Sequence, residues 1–476
     1  MATDWRLQRS SKPFKHSRLV LVANMPPHCF PDRTTFMQRS FAYETLCVIG
    51  LGYIGLPTAT VFAQHGLKVQ GVDVNATVVA TINRGEVHIV EPGLEKCVKQ
   101  VVLNGNLRAS TLADPADAFL IAVPTPFKGS DHEPDLSYIE AAARAIAPVL
   151  KAGDLVVLES TSPVGATQKM ADWLAESRPD LTFPQDAAEA SDIRIAHCPE
   201  RVLPGKVLDE LVHNDRIIGG MTPLCAAAAQ ALYEVCVTGE CIATDVRTAE
   251  MCKLAENAFR DVNIAYANEL SLICDRSGID VWELIRLANR HPRVDILRPG
   301  AGVGGHCIAV DPWFIVAGAP DLAQVVRTAR NVNNAKPEWV LQKLRIAAEH
   351  FELAHEGRKP IIAVCGLSFK PDIDDLRESP ALEIAVALQE EFDAQVMVVE
   401  PNIEELPPRL SAARLVDIAV AMEEADILLV LVGHRSFQYL ADHPLRPNQS
   451  IIDVVGLLAN KRTALHDNAL LNLIEG

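Results

Sequence analysis

Short apolar runs recur along the chain, each closed by a turn-forming cluster. In the first half they are Leu46–Ile49, "AFLIAVPTP" (118–126), "DLVVLESTSPVG" (154–165) and "DIRIAHCPERVLPG" (192–205). Such continuous runs suit parallel strands buried on both faces. A different pattern holds over 247–278, "RTAEMCKLAENAFRDVNIAYANELSLICDRSG", which lacks proline and ends in a glycine. It predicts one long helix. Strand-like runs return as "KPIIAVCGLSFKP" (359–371), "AQVMVVEP" (394–401), "ADILLVLVGH" (425–434) and "SIIDVVG" (450–456). The expected fold is α/β: two Rossmann-like, doubly wound parallel-sheet domains joined by a long central helix. The boundaries read 45–240 for the first domain, 241–350 for the connector and 351–476 for the last.

The first run opens a specific context. "TLCVIGLGYIGLPTATVFAQHGLKVQGVDVN" is strand, glycine turn, helix and second strand, with Gly50, Gly52 and Gly55 in a GxGxxG frame and Asp73 placed 18 residues beyond Gly55. Gly50 permits the tight turn, Gly52 admits a pyrophosphate to the backbone, and Gly55 lets helix and strand touch. Asp73 is suited to a ribose 2′-hydroxyl and opposes a 2′-phosphate, so the cofactor read here is NAD. The last third has only Gly366 in the equivalent turn, so no second dinucleotide site is expected there. Thr125, Thr161 and Glu200 follow strand ends, where ligands of open sheets bind; turn and cap formation are the ordinary uses of such residues.

Within the helix, Lys253, Asn257 and Arg260 are spaced to share a face, and Met251, Leu254, Ala255, Ala258, Phe259, Ile264 and Ala265 make most of the remainder apolar. A helix apolar on most sides is expected to be buried, and polar groups on it then need partners. Further on, "AGVGGHCIAVDPW" (301–313) sets Cys307 among glycines, with Asp311 four residues later. His306 beside it is not read as a Cys–His couple, because adjacent side chains diverge.

Charge and cysteine usage narrow the function. A net charge of −17 argues against nucleic-acid binding. No apolar run reaches the roughly 20 residues a membrane span needs. The eleven cysteines show no CxxC pair, so neither a metal site nor a disulfide framework is expected, and reduced thiols point to the cytoplasm. Residues 1–44 are basic and proline-bearing. They suit a disordered tail, a start placed upstream of Met37, or a transit peptide.

The motifs "VIGLGYIGLPTA", "IAVPTPFKG", "ESTSPVG", "CPERVLPG", "AEMCKLAENAFRDVNIA", "NRHPRVDIL", "GVGGHCIAVDPWF" and "FKPDIDDLRESPA" occur in this order. From residue 45 to about 456 the chain resembles the UDP-glucose/GDP-mannose dehydrogenase family. "NRHPR" and "CPERVLPG" lean toward the branch acting on UDP-N-acetyl-D-mannosamine; another UDP- or GDP-sugar, or a non-catalytic NAD-binding regulator, are the alternatives. The resemblance implies oxidation of the sugar's sixth carbon to a carboxylate with two NAD, through a thiohemiacetal and thioester on Cys307. It further implies that Lys253 steadies an oxyanion, that Asn257 and Asp311 hold water and tune proton transfer, and that Glu200 and Thr161 activate water. By the same resemblance Tyr53, Ile54, Asp73, Thr125 and Thr161 contact NAD. Arg201, Val202, Lys253, Asn257, Arg260, His291, Arg293, Gly304, Phe369, Lys370 and Arg377 would contact the nucleotide sugar. A homodimer through the central helix is expected. One departure stands out: Val455 occupies a turn position where the family commonly has a basic residue, which bears on affinity.

Overall fold

Strand β1 (Thr45–Ile49) is buried from Leu46 onward and pairs in parallel with two neighbours, β2 (Lys68–Val72) and β4 (Ala118–Ile121). In the computed structural model, residues 41–459 are described, except 130, 131, 204, 306 and 393. The N-terminal extension up to residue 40, with Met37, and His306 lie outside the described residues. With β3 (Leu107–Ser110), β5 (Leu155–Leu158), β6 (Arg194–His197), β7 (Arg216–Gly220) and β8 (Cys241–Asp245), the first sheet runs β8-β7-β6-β5-β4-β1-β2-β3. The segment from β3 to β6 is wholly parallel in the 3-2-1-4-5-6 order of a dinucleotide fold. Strand β7 turns antiparallel to β6, and β8 follows it in parallel. A small antiparallel ribbon, Phe127–Lys128 with Glu133–Pro134, sits outside this sheet.

A second sheet is built from β9 (Ile361–Cys365), β10 (Gln395–Val399), β11 (Arg414–Leu415), β12 (Ile427–Val430) and β13 (Ser450–Asp453), in the order β11-β10-β9-β12-β13, all parallel. Its central strands carry Ile362, Ala363, Val364, Cys365 and Ile427–Val430, none more than marginally exposed. Sheets buried on both faces tolerate such unbroken apolar runs because no side chain meets water.

Helix α1 (Gly55–Gln64) follows the glycine turn, and α2 (Ala166–Ser177) follows β5. Glu250 accepts from the amides of Gly165 (2.6 Å) and Thr167 (2.8 Å), satisfying the first free N–H groups of α2. The long helix α3 (Val246–Ser277) starts at Asp245, whose side chain accepts from Thr248 N, and stops at Gly278 with φ +67°. Then come α4 (Asp311–Gly318), α5 (Gln324–Ala354) and, after β9, α6 (Pro380–Glu391). The connector therefore contains two long helices, not one. They are joined by buried polar groups: Arg330 bonds Asp261 at 2.6 Å, Asn333 bonds Asp261 at 2.8 Å, and Asn268 bonds Asn333 at 2.8 Å. Pro337 sits inside α5, so local propensity opposes that helix and tertiary packing decides it.

The expectation that α3 is buried on most sides does not hold throughout. Leu254, Ala258 and Ala265 are core, but Phe259 is 72% exposed and Met251 42%. That face is not covered by the other described residues. No helix among the described residues is long and apolar enough to cross a membrane.

Candidate active site

The glycine turn is sterically determined. Gly50 lies at φ +90°, and a Cβ there would stand 2.6 Å from the Ala122 carbonyl oxygen; one on Gly55 would stand 1.8 Å from that of Gly50. A Cβ on Gly52 would meet nothing within 4 Å. Gly50 and Gly55 thus serve the turn's own packing, and Gly52 keeps open the approach a pyrophosphate needs. Tyr53 is partly exposed and Ile54 half-buried at the start of α1. Beyond β2, Asp73 accepts from Leu51 N at 3.0 Å and Asn75 N at 2.9 Å. Its position is fixed at the carboxyl edge of the sheet. Thr125 and Thr161 meet there as well, the Thr125 hydroxyl donating to the Thr161 carbonyl. These residues fit NAD, with the helix terminus toward its phosphates.

The segment before Cys307 is shaped by contact with the C-terminal unit. A Cβ on Gly304 would lie 2.4 Å from the Glu378 carbonyl oxygen and 2.9 Å from Phe369 Cβ; Gly305, at φ +83°, would meet the Phe369 ring at 2.9 Å. The glycines, expected to admit the sugar, here let the loop press onto the second α/β unit. Cys307 is exposed, and its carbonyl accepts from Asp311 N at 2.8 Å, at the start of α4. Although solvent reaches the residue, surrounding protein raises the thiol pKa by desolvation; Asp311 adds to this, while Lys253 and Arg377 oppose it. Asp311 is buried, which pushes its carboxyl up to about 6, opposed by a hydrogen bond from Asn257 and the charge of Lys253. The Asn257 Nδ2 to Asp311 Oδ2 distance is 2.5 Å.

Lys253 and Asn257 also line a cavity of about 420 Å³ with Arg201, Val202, Leu203, Glu210, Asn214, Asp215 and Glu256. Arg201 is held by Glu256, Nε at 3.0 Å and Nη2 at 2.7 Å. Glu200 faces away from water: Arg216 Nη1 lies 2.5 Å from one oxygen and the Arg201 amide 2.6 Å from the other. Neither Glu256 nor Arg216 stood out in the sequence, since each acts through a partner distant along the chain. Lys370 has its pKa lowered by burial and by the nearby cations Arg260 and Lys206. Lys206, also missed, completes a cationic cluster suited to a diphosphate. Arg377 pairs with Asp375 (2.8 and 2.6 Å) and lies 4.7 Å over the Tyr53 ring, so expected cofactor and substrate residues touch across the two units. His291 and Arg293 do not line the cavity; both are exposed, the Arg293 amide donating to the His291 ring at 3.3 Å. Val455 packs against the second sheet's core. Among the described residues, no cluster of His, Cys, Asp or Glu could hold a metal ion.

A dinucleotide turn, an accessible thiol beside a buried carboxyl and amine, and a second α/β unit bearing cations define a nucleotide-sugar oxidoreductase. The chain belongs to the UDP-glucose/GDP-mannose dehydrogenase family, whose NAD binding domain matches residues 44–237, central domain 247–335 and UDP binding domain 363–460. It is an NAD-dependent dehydrogenase acting on a UDP-sugar. A UDP-N-acetyl-D-mannosamine dehydrogenase of Yersinia pestis is 61% identical over 419 residues, covering 87% of this chain and 99% of that protein. An NDP-N-acetyl-D-galactosaminuronic acid dehydrogenase of Ralstonia nicotianae is also 61% identical, over 422 residues, covering 89% and 98%. Among solved structures, the native UDP-N-acetyl-mannosamine dehydrogenase of Staphylococcus aureus is similar with TM-score 0.75 and 40% identity, covering 87% and 95%.

Proposed function

We propose that the chain converts UDP-N-acetyl-D-mannosamine to the corresponding uronate in two successive oxidations. The observation that carries this is an accessible Cys307 held against the UDP-binding unit, next to Asp311, Asn257 and Lys253. NAD, when bound, accepts the hydride in each oxidation. The Cys307 sulfur adds to the aldehyde carbon, giving a thiohemiacetal whose oxidation leaves a thioester; water then cleaves the C–S bond, releasing acid and thiol. Lys253 stabilises negative charge as it develops on the substrate oxygen. Asp311, with Asn257 donating to it, takes the proton released when the thiol adds. Thr161 borders the cofactor edge, where the hydrolytic water would enter. For Glu200, bonds to Arg216 and to the Arg201 amide support a role in holding the loop that presents Arg201 and Val202.

The sugar is assigned from the Yersinia pestis relative; equal identity to a galactosaminuronic acid dehydrogenase supports a second reading, UDP-N-acetyl-D-galactosamine. NADH production should be measured across UDP-N-acetyl-mannosamine, -galactosamine and -glucosamine, UDP-glucose and GDP-mannose, with product mass. The highest kcat/KM on the mannosamine nucleotide supports the assignment; preference for any other overturns it.

A homodimer through α3 is supported by Phe259, Tyr266 and Ile273, seven residues apart and 72%, 52% and 52% exposed. Phe259→Glu with Ile273→Glu should give a monomer by light scattering, and an unchanged dimer mass would remove α3 from the interface. The ten described cysteines are all free, which supports a reducing compartment such as the cytoplasm.

A further inference from the structure

The two α/β units begin alike. Gly50 and Gly366 have φ +90° and +98°, and their amides donate to Val72 and Val399 carbonyls, both at 2.8 Å. The following amide meets an acid at the end of the second strand in each: Leu51 N to Asp73 Oδ2 at 3.0 Å, Leu367 N to Glu400 Oε2 at 2.7 Å. From there the units diverge. Asp73 is only half-buried. Glu400 is 3% exposed and accepts from Ser368 N (3.1 Å), Asn402 N and Nδ2 (3.2 and 3.0 Å), with His434 Nε2 at 3.1 Å.

His434 is fully buried, and its ring is oriented by what it meets. Nδ1 accepts from Asp372 N at 2.9 Å, so the ring proton sits on Nε2 and is donated to Glu400. Asp372 lies at φ +62°, a left-handed conformation unfavourable outside glycine. Besides the ring, it is held by Arg435, through its amide at 3.0 Å and Nε at 2.7 Å. Ser368 Oγ donates to the Lys370 carbonyl at 2.8 Å. The turn Leu367–Asp372, bearing Phe369 and Lys370, is thus tied to one buried acid and one buried imidazole.

We propose that the Glu400–His434 pair is a positioning device for the nucleotide sugar. It closes the place that stays open for a ribose in the first unit, and it fixes the turn that presents Phe369 and Lys370. The inference rests on the reading that this unit holds the UDP moiety. A buried carboxylate and imidazole satisfying each other and five backbone or amide groups have little freedom to rearrange, so Lys370 meets a diphosphate already placed.

Titration calorimetry with UDP, and with NAD as a control, tests this on full-length protein. His434→Ala removes the acceptor for Asp372 N and the donor to Glu400. UDP affinity should fall and the nucleotide-sugar KM rise, each roughly five- to fiftyfold, the range for losing a buried hydrogen bond. NAD affinity should be unchanged and kcat at saturation retained to within about threefold, since the reacting groups lie elsewhere. His434→Gln, able to donate near the position of Nε2, should recover part of the loss. Should His434→Ala fail to fold, Ser368→Ala cuts the tie to Lys370 together with the long 3.5 Å contact of the same hydroxyl to His434 Nε2, and should weaken UDP binding severalfold with NAD binding intact. UDP affinity within twofold of wild type in both variants overturns the inference alone. No UDP binding by the wild-type protein overturns the reading of the unit, and the inference with it.

Discussion

Asn257 on α3 donates to Asp311 at the start of α4 across 2.5 Å, joining the two helices four residues from Cys307. That bond only partly offsets burial, and Asp311 stays pushed up to about 6, with Lys253 acting in the same direction as Asn257. A carboxyl whose folded pKa is raised contributes most stability below its ordinary value and loses it as pH rises through about 6. Above that, the fold carries a buried carboxylate at a cost of about 1–3 kcal/mol. Asp311→Asn should therefore be more stable than wild type at pH 8 by about that amount, with the gain shrinking as pH falls below 6, while losing most activity. Urea unfolding at pH 8 and pH 4.5 measures it; the same gain at both values would show that Asp311 carries no such cost.

Much of this site was legible because its pieces are local. The strand, glycine turn, helix and Asp73 all fall within 45–75, and the loop from Gly302 to Asp311 encloses the thiol in ten residues. What was not legible depends on partners far away. Arg216 looks like an ordinary strand residue until Glu200 is found 2.5 Å from it. Glu256 appears as a solvated helix charge until Arg201 reaches it. Strand β7 reverses direction against β6, which periodicity does not report. Helix α5 is polar and contains Pro337, so only its packing on α3 explains it.

Gly304 inside the cysteine loop and Gly300 just before it should differ sharply on substitution. A Cβ on Gly304 would meet backbone, the Glu378 carbonyl oxygen at 2.4 Å, which cannot rotate aside. Gly304→Ala should cost about 1–3 kcal/mol of stability through overpacking, with at least roughly tenfold of kcat as Cys307 shifts. A Cβ on Gly300 meets nothing within 4 Å and its φ is not positive. Gly300→Ala should stay within about 0.5 kcal/mol of wild type. Thermal unfolding and steady-state rates on both compare them, and an active, stable Gly304→Ala protein would contradict the observed loop packing.

Cofactor choice should follow from Asp73. Two backbone amides hold its carboxylate at the edge of the sheet, so it cannot swing away from a bulky ribose substituent. A 2′-phosphate there would meet repulsion of about 1–4 kcal/mol at effective dielectrics between water and a protein surface. The ratio of kcat/KM for NAD over NADP should be correspondingly large, and Asp73→Asn should shrink it mainly by improving NADP. Equal efficiency with both cofactors in the wild type would mean that Asp73 does not face the ribose.

Two NADH should form per uronate, with little aldehyde released. Among the described residues, only the first unit offers an open dinucleotide edge; in the second, His434 and Ser368 close around Glu400. Both hydrides must then leave through one NAD site, and the substrate must stay bound while the cofactor is exchanged. Cys307 can hold the carbon skeleton covalently over that interval. On the proposed reading, the Lys206, Arg260 and Lys370 cluster would hold the diphosphate meanwhile. Hydroxylamine added during turnover should thus trap a small fraction of product in the wild type. Cys307→Ala should form no uronate while binding UDP and NAD as before, and Cys307→Ser should turn over far more slowly, since an oxygen ester resists hydrolysis. A ratio of one NADH per sugar, with aldehyde as the main product, would refute the covalent route even with the fold and cofactor unchanged.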